Sequence, residues 1–246
     1  MTYSSNPNAP GYWHYDGLPV QADVETHQIT LGMARKLAVQ GCRLLDVAAG
    51  HGALSKALLD AGFDVSCTSW NENVGLAIPR YRIDLDKSFT TADVGGQLYQ
   101  AVCALEIIEH VENPAQMLRS IAGILPEGGM LFLSTPNVES AQARLEWLIR
   151  GCPYSFSGQE ISENRHISIL WKQGLEHFIH MAGFDIVEMH LAGIFRHHSH
   201  SQALLRTPVY WLMKQMLPGD LDGASRLYAL RRSGRSARVL GSDEVA

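Results

Sequence analysis

The 246-residue sequence lacks the features that mark several large classes of protein. It contains four cysteines and no Cys-x-x-Cys pair, which argues against a zinc ribbon and against a disulfide framework. No apolar run approaches the roughly 18–20 residues that a membrane-crossing helix needs. The first residues are polar and hold no apolar secretory core. These absences predict a chain without a transmembrane segment that works in a reducing, cytoplasmic compartment.

Basic residues are also scarce. The sequence contains 20 Lys and Arg against 25 Asp and Glu, which gives a formal net charge of −5. A dedicated nucleic-acid binder usually carries a basic stripe, so nucleic acid is not an expected partner. Hydrophobic residues make up 46% of the chain. A chain of this length and composition can bury a sizeable core within one domain.

Short apolar runs alternate with segments of helical periodicity along most of the chain. This alternation is typical of a doubly wound α/β fold, in which helices cover both faces of a parallel sheet. Strands are expected at 43–50, 63–69, 101–106, 130–136 and 184–192, and helices at 26–39, 53–61, 114–125 and 173–182.

Several segments do not fit the alternation. Residues 1–24 are predicted to form a loose arm and residues 233–246 a flexible tail, which leaves residues 25–232 as the domain. Within the domain, 137–172 and 193–225 interrupt the pattern. We interpret both as insertions on the substrate side of the sheet.

The last third of the chain leaves three further questions open. Residues 225–232 can supply a last edge strand. The apolar helix at 203–217 can touch a membrane, although core packing or pairing in a homodimer is favoured, since it carries few basic anchors. The histidine-rich run 197–200 can bind metal or form a surface loop.

The segment Asp46-Val47-Ala48-Ala49-Gly50-His51-Gly52 follows the first strand of the sheet and precedes a helix. In open α/β sheets, ligands bind beyond the carboxyl ends of the strands. Glycine lets the backbone approach a ligand closely, and a helix N-terminus favours a carboxylate. NAD-binding domains share this arrangement, but their Gly-x-Gly-x-x-Gly spacing is missing. A tight turn that needs glycine only for packing is the alternative.

Three stretches resemble motifs of the class I S-adenosylmethionine-dependent methyltransferases: LLDVAAGHGAL at 44–54, ALEIIEHVENPAQML at 104–118 and LPEGGMLFLSTPN at 125–137. The ubiquinone-biosynthesis-type O-methyltransferases and the bacterial methyltransferases of surface-polysaccharide pathways are most similar. The resemblance covers about residues 25–192. It implies a seven-stranded, mostly parallel Rossmann-like sheet with an inserted cap, and S-adenosylmethionine as cofactor. It also implies methyl transfer, here to a hydroxyl oxygen of a small molecule or glycan.

The resemblance implies which residues bind the cofactor. They are Asp46, Ala48, Gly50, Gly52 and Glu106 around the methionine end, Ser69, Trp70 and Asn71 at the ribose, and Asp84 with Leu85 at the adenine. Asp93 is the competing candidate for the adenine contact. Ala48 replaces the family's first glycine, which is tolerable if its φ is negative.

The end of the second strand is a larger departure from the family. Ser69 stands where the family usually has an acidic residue that accepts hydrogen bonds from both ribose hydroxyls. Losing a charged acceptor weakens binding by about 1–3 kcal/mol. Ser69 or Asn71 can substitute, or Glu72 can reach back.

Glu106, Glu109 and His110 would share one face if the chain turns helical directly after the strand. With His166 from the first insertion, they resemble the Glu-x-x-Glu-His plus distant His pattern of small-RNA 2′-O-methyltransferases and ubiquinone-type O-methyltransferases. That resemblance implies a divalent Mg, Mn or Zn ion bound by these four residues. The alternative is a metal-free site in which His110, Glu109 and His166 are catalytic and a histidine is the general base.

Other functions remain open at this point. An N- or C-methyltransferase would share the whole cofactor site. A non-catalytic S-adenosylmethionine-binding protein is compatible with Ser69 and Ala48 at their unusual positions. An NAD-dependent oxidoreductase is disfavoured by the missing glycine pattern.

Overall fold

The computed structural model of the protein describes residues 3–5, 12–71, 74–193 and 200–234. Its strands are β1 (Tyr3–Ser5), β2 (Trp13–Tyr15), β3 (Leu18–Val20), β4 (Arg43–Val47), β5 (Asp64–Thr68), β6 (Arg80–Tyr81), β7 (Ala101–Ala104), β8 (Met130–Pro136), β9 (Phe184–Ala192) and β10 (Ser225–Arg232). Its α-helices are α1 (Val24–Leu37), α2 (Ala53–Asp60), α3 (Pro114–Ile124), α4 (Ala141–Arg150), α5 (Gly158–Asn164), α6 (Lys172–Met181) and α7 (His200–Met216).

One seven-stranded sheet has the order β6-β5-β4-β7-β8-β10-β9. The strands from β6 to β8 are parallel, whereas β10 is antiparallel to both of its neighbours. The predicted doubly wound, mostly parallel fold is confirmed. The carboxyl ends of β4, β5 and β7 therefore meet at one edge of the sheet.

The prediction of a last edge strand at 225–232 is wrong in its position. β10 lies between β8 and β9, and β9 forms the edge. Four consecutive residues of β10 are fully buried, namely Leu227, Tyr228, Ala229 and Leu230. Such a run is typical of a strand that is covered on both faces.

Side chains of alternating direction divide the core into two layers. Leu44 on β4 packs in the same layer as Leu58 of α2, whereas the next residue, Leu45, packs with Leu118 of α3. The helices on both faces hold β4 rigidly. The loop that follows this strand is thereby fixed at the edge where ligands are expected.

The N-terminal arm is not loose where the structure describes it, so that expectation is wrong. β1, β2 and β3 form a small antiparallel sheet, and Asp16-Gly17 makes the tight turn between β2 and β3 with positive φ at both residues. An Asp-Gly pair is a strong signal for such a hairpin. Tyr15 Oη donates a hydrogen bond of 3.0 Å to Asp60 at the end of α2.

The apolar helix near the C-terminal end is α7, and its exposure contradicts the expected core packing, whereas pairing in a homodimer stays a prediction. Trp211, Leu212 and Met216 are exposed, so this half of the helix is not core. No helix among the described residues is both long and apolar enough to cross a bilayer. Residues 197–199 of the histidine-rich run and residues 235–246 of the tail lie outside the described residues.

Candidate active site

A cavity of about 610 Å³ opens at the carboxyl ends of β4, β5 and β7. A second cavity, of about 280 Å³, adjoins it, because Ala48, Ser69, Trp70, His110 and Asn164 line both. All of the predicted site residues except Gly52, Asp84 and Leu85 line the first cavity, and Asp84 and Leu85 line the second. The residues that the sequence predicts for the site thus lie together at one edge of the sheet.

The loop after β4 turns sharply, and Ala48 adopts a left-handed conformation with a φ of 57°. The expectation of a negative φ at Ala48 is therefore wrong. The backbone amides of Ala48 and Ala49 donate to the side-chain and main-chain oxygens of Thr68, each at 2.9 Å, and these bonds hold the turn. A left-handed conformation costs a non-glycine residue about 1–2 kcal/mol.

Replacing Ala48 with glycine is expected to stabilise the protein by about 1 kcal/mol, because glycine adopts the observed φ without steric cost. Chemical denaturation measures the change. Ala49→Gly is the matched control, since Ala49 does not have a positive φ. It should destabilise the protein through the entropy of the unfolded chain. Equal effects of the two substitutions would show that Ala48 carries no strain.

Asp46 fixes the start of α2. The helix begins after Gly52, which has no side chain to cap it, and the buried Asp46 carboxylate accepts a 2.6 Å hydrogen bond from Ser55 Oγ in the first turn. Burial raises the pKa of Asp46 to about 7, although the bonds from Ser55 oppose the shift. Residues 48–52 form the loop between β4 and α2, which we call the glycine loop. The Asp46 side chain links the strand before this loop to the helix after it, and it also lines the cavity.

The raised pKa of Asp46 predicts how stability depends on pH. Between pH 4 and 7 the folded chain holds a proton on Asp46 that the unfolded chain has released. Stability therefore falls as pH rises through this window, by about 1.4 kcal/mol per pH unit at most. Urea denaturation across this range, without ligand, should show a shallower slope for Asp46→Asn than for the parent. Identical slopes would place the pKa of Asp46 near its ordinary value.

The residues predicted to contact the ribose, Ser69, Trp70 and Asn71, are neutral. Ser69 Oγ accepts from the amide of Asn71 at 3.0 Å and lies 3.4 Å from the Gly50 carbonyl oxygen. The Asn71 side-chain nitrogen lies 3.1 Å from His51 Nδ1. Trp70 is exposed and stacks under Arg82, whose guanidinium carbon is 4.3 Å from the ring centroid. Glu72 lies outside the described residues.

The structure separates the two candidates for the adenine contact. Asp84 lines the second cavity and forms a 3.1 Å ion pair with Lys87. Asp93 instead accepts hydrogen bonds from the amide and the hydroxyl of Thr90, where it caps a short 3-10 helix at Thr91–Val94. Asp84, which also accepts from the Asp86 amide, stays a candidate for the adenine contact, whereas Asp93 lines neither of the two cavities.

Glu109, His110 and His166 converge, with one potential ligand atom from each lying within 4.8 Å of the others. His110 Nδ1 lies 2.6 Å from the Asn164 carbonyl oxygen, and His166 Nδ1 lies 2.7 Å from that of Ser155. A carbonyl oxygen can only accept, so each Nδ1 carries the hydrogen and each neutral ring keeps a lone pair on Nε2. Burial, and then the nearby His166, lowers the pKa of His110, which favours that neutral form.

Glu109 is fully buried at the floor of this cluster. Its Oε2 accepts from Thr135 Oγ1 at 3.2 Å. Its Oε1 has no hydrogen-bond partner among the described residues and lies 3.8 Å from His110 Nε2. Burial, and then the neighbouring Glu106, raises the pKa of Glu109 well above its usual range. The backbone carbonyl of Glu109 also accepts from the amides of Ile167 and Ser168, which holds His166 over the cavity.

Glu106 does not begin a helical turn, so the expected shared helix face is wrong. Its φ is 47°, and the short 3-10 helix starts only at Ile108. Glu106 Oε1 accepts a 2.7 Å bond from Ser134 Oγ, and the Glu106 side chain is not part of the three-residue group. Burial raises the pKa of Glu106 to about 7. Glu106 still lines the cavity and remains a candidate for the cofactor contact.

One wall of the cavity consists of residues outside the family motifs. Gln21 and Asp23 line it from the segment that leads into α1, and His27 lines it from the first turn of that helix. Asn164 closes the opposite side at the end of α5. No local motif marks these residues, because their place depends on how α1 packs on the sheet.

A family model described as a methyltransferase domain matches residues 21–189. The ubiquinone biosynthesis O-methyltransferase of Cereibacter sphaeroides is 30% identical over 151 residues, which cover 55% of this chain and 61% of that protein. The enzyme of the same name from Bordetella avium is 34% identical over 111 residues, covering 41% and 45%. The chain thus matches only about half to three-fifths of the length of these relatives.

Solved structures show the same fold. An S-adenosylmethionine-dependent methyltransferase from Mesorhizobium loti has a TM-score of 0.54 at 17% identity, covering 85% of this chain and 99% of that one. Magnesium protoporphyrin IX methyltransferase from Synechocystis has a TM-score of 0.55 at 17% identity, covering 85% and 82%. The chain belongs to the class I S-adenosylmethionine-dependent methyltransferase family.

Proposed function

We propose that the protein transfers a methyl group from S-adenosylmethionine to a hydroxyl oxygen of a small molecule or glycan. The observation that carries the proposal is the position of the Glu109–His110–His166 cluster. It lines the same cavity as the glycine loop, so a proton acceptor faces the space where a methyl donor would bind. A non-catalytic role does not require such a cluster.

The residues present fit the cofactor. The cavity lies over the positive-φ glycine Gly50, and Asp46 lies buried below the loop. Asp84 and Leu85 in the adjoining cavity would hold the adenine, and Ser69 with Asn71 would meet the ribose. When bound, S-adenosylmethionine supplies a methyl group whose bond to sulfur breaks as the new bond to oxygen forms, with the electron pair leaving on sulfur.

The chain supplies orientation and proton removal. In the metal-free form of the site, the Nε2 lone pair of His110 accepts the proton of the attacking hydroxyl, since its Nδ1–H is held by the Asn164 carbonyl. In its ionised form, Glu109, whose Oε1 lies 3.8 Å from that Nε2, stabilises the imidazolium that forms. The Asn164 carbonyl keeps the His110 ring in the orientation that presents Nε2 to the cavity. General base catalysis of this kind contributes about 10²–10⁴-fold to a rate.

The same three side chains also fit a divalent ion. The orphaned Glu109 Oε1 and the Nε2 atoms of His110 and His166 form an N, N, O donor set that suits Mg, Mn or Zn. Hydrogen bonds from each Nδ1 to a backbone carbonyl are typical of metal-binding histidines. Such an ion would hold the acceptor hydroxyl and lower its pKa.

Chelation separates the two ways of removing the proton. We expect about one equivalent of divalent metal in the purified protein, and a loss of at least tenfold in methyl transfer after dialysis against EDTA. Addition of Mg²⁺, Mn²⁺ or Zn²⁺ should restore activity. Unchanged activity after complete metal removal would leave proton transfer to His110 alone.

The function itself is tested by incubating the protein with methyl-labelled S-adenosylmethionine and fractionated cell extracts. Label should appear in hydroxyl-bearing small molecules or glycans as alkali-stable ethers. Label found only on nitrogen or carbon would contradict O-methylation. Binding of S-adenosylhomocysteine without transfer to any extract would support the non-catalytic alternative.

A further inference from the structure

The segment leading into α1 forms a cavity wall to which the proposed methyl transfer assigns no role. Gln21, Asp23 and His27 line this wall, beside Gly50 of the glycine loop. These side chains come from outside the strands that carry the family motifs. Their chemistry indicates what part of a ligand they meet.

The acidic side chains that line the cavity are Asp23, Asp46, Glu106 and Glu109, and the described lining includes no lysine or arginine. Such a wall suits the ammonium and sulfonium groups of S-adenosylmethionine. It provides no cationic partner for the carboxylate at the amino-acid end of that molecule. Neutral hydrogen-bond donors must therefore hold the carboxylate.

Several backbone amides of the glycine loop already donate hydrogen bonds within the protein. The amides of Ala48 and Ala49 donate to Thr68, and the amide of Gly52 donates to the Ala49 carbonyl at 2.8 Å. Gln21 lies directly against this loop, since a Cβ added at Gly50 would lie 1.6 Å from Gln21 Oε1. Rotation of this exposed carboxamide would present its NH₂ group to a ligand over Gly50.

His27 provides a second neutral donor. Its side chain is 6% exposed, and its Nδ1 has no hydrogen-bond partner among the described residues. Burial lowers its pKa to about 4, so the ring is neutral and carries one N–H. The imidazole lies one helical turn beyond Asp23, the residue that caps α1. A buried polar ring at a cavity wall is costly unless a ligand uses it.

We propose that Gln21 and His27 bind the α-carboxylate of S-adenosylmethionine, while Asp23 faces its ammonium group. The inference rests on the proposed function, because it assumes that this cofactor enters the cavity. It assigns to the N-terminal segment the recognition of the amino-acid end. The glycine loop then provides a surface that the amino-acid end can approach closely, and it does not bind the carboxylate.

Calorimetry with two ligands tests the assignment. S-adenosylhomocysteine has the amino-acid end, and 5′-methylthioadenosine lacks it but keeps the nucleoside and the thioether. Gln21→Leu should weaken binding of S-adenosylhomocysteine about tenfold and leave methylthioadenosine unchanged, which is the effect of losing one bond to a charged group. His27→Phe should show the same selectivity. Gln28→Leu, an exposed site on the same helix that does not line the cavity, is the matched control.

The calorimetry results distinguish a failure of the carboxylate assignment from a failure of the proposed function. A parent protein that binds neither ligand would remove the proposed function. A parent that binds both, with Gln21→Leu and His27→Phe weakening both equally or neither, would overturn the carboxylate assignment alone. Tighter binding by Gln21→Leu would also overturn the carboxylate assignment, since Gln21 would then block the ligand position over Gly50. Gln21→Lys should restore or strengthen binding of S-adenosylhomocysteine only.

Discussion

Glu109→Ala is expected to lower methyl transfer by at least about 100-fold, while the affinity for S-adenosylhomocysteine stays within about twofold of the parent. The substitution removes the carboxylate that faces His110 Nε2 at 3.8 Å, together with the oxygen that completes the N, N, O donor set. It keeps the backbone carbonyl that accepts from Ile167 and Ser168, so the insertion should remain in place. Turnover with labelled cofactor and calorimetry measure the two quantities separately.

The control is Glu112→Ala, three residues further along the chain and exposed. It should leave both activity and affinity unchanged. Activity retained by Glu109→Ala would remove the cluster from the mechanism. A parallel loss of cofactor affinity would mean that Glu109 shapes the cofactor site rather than the acceptor site.

Asp46→Ala is expected to weaken cofactor binding by about 100-fold or more. The carboxylate is buried and accepts from Ser55 Oγ at 2.6 Å, and this bond sets how the glycine loop meets the start of α2. Without it, the loop loses the geometry that brings Gly50 to the cavity, and an uncapped helix start remains. Calorimetry with S-adenosylhomocysteine gives the affinity, and far-UV circular dichroism confirms that the variant is folded.

Ser55→Ala distinguishes the contribution of the Ser55–Asp46 hydrogen bond from that of the Asp46 carboxylate itself. It removes the hydroxyl donor but keeps the Asp46 carboxylate, so a much smaller loss of affinity is expected, on the order of a few-fold. Unchanged affinity in folded Asp46→Ala would contradict the placement of the cofactor over this loop. A loss in Ser55→Ala equal to that in Asp46→Ala would assign the whole effect to the start of α2.

The sequence predicted most of the fold because strands and helices alternate with clear periods. Leu44 and Leu45 face opposite layers, as adjacent residues of a buried strand must. The errors occurred where pairing is decided over long distances. Nothing local in residues 225–232 shows that β10 inserts between β8 and β9. The hairpin at Asp16-Gly17 is different, since the Asp-Gly pair is a local turn signal in the sequence.

The candidate site was predictable where one motif holds the residues together. Asp46, Gly50 and Glu109 lie in such motifs, and the structure brings them to one cavity. The positive φ of Ala48 and of Glu106 was not predictable, because each depends on a hydrogen bond that the backbone amide donates to a neighbouring strand. The acceptors are Thr68 Oγ1 and Ser134 Oγ. Gln21 and His27 carry no motif at all, and only the packing of α1 places them there.

A crystal structure of the protein with S-adenosylhomocysteine would show whether the cofactor binds over Gly50 at the carboxyl end of β4. We expect the adenine beside Asp84 and Leu85, and the amino-acid end over Gly50 within reach of Gln21 and His27. A cavity that stays empty above Asp46 at saturating nucleotide, or that is filled by side chains of the protein, would contradict this placement.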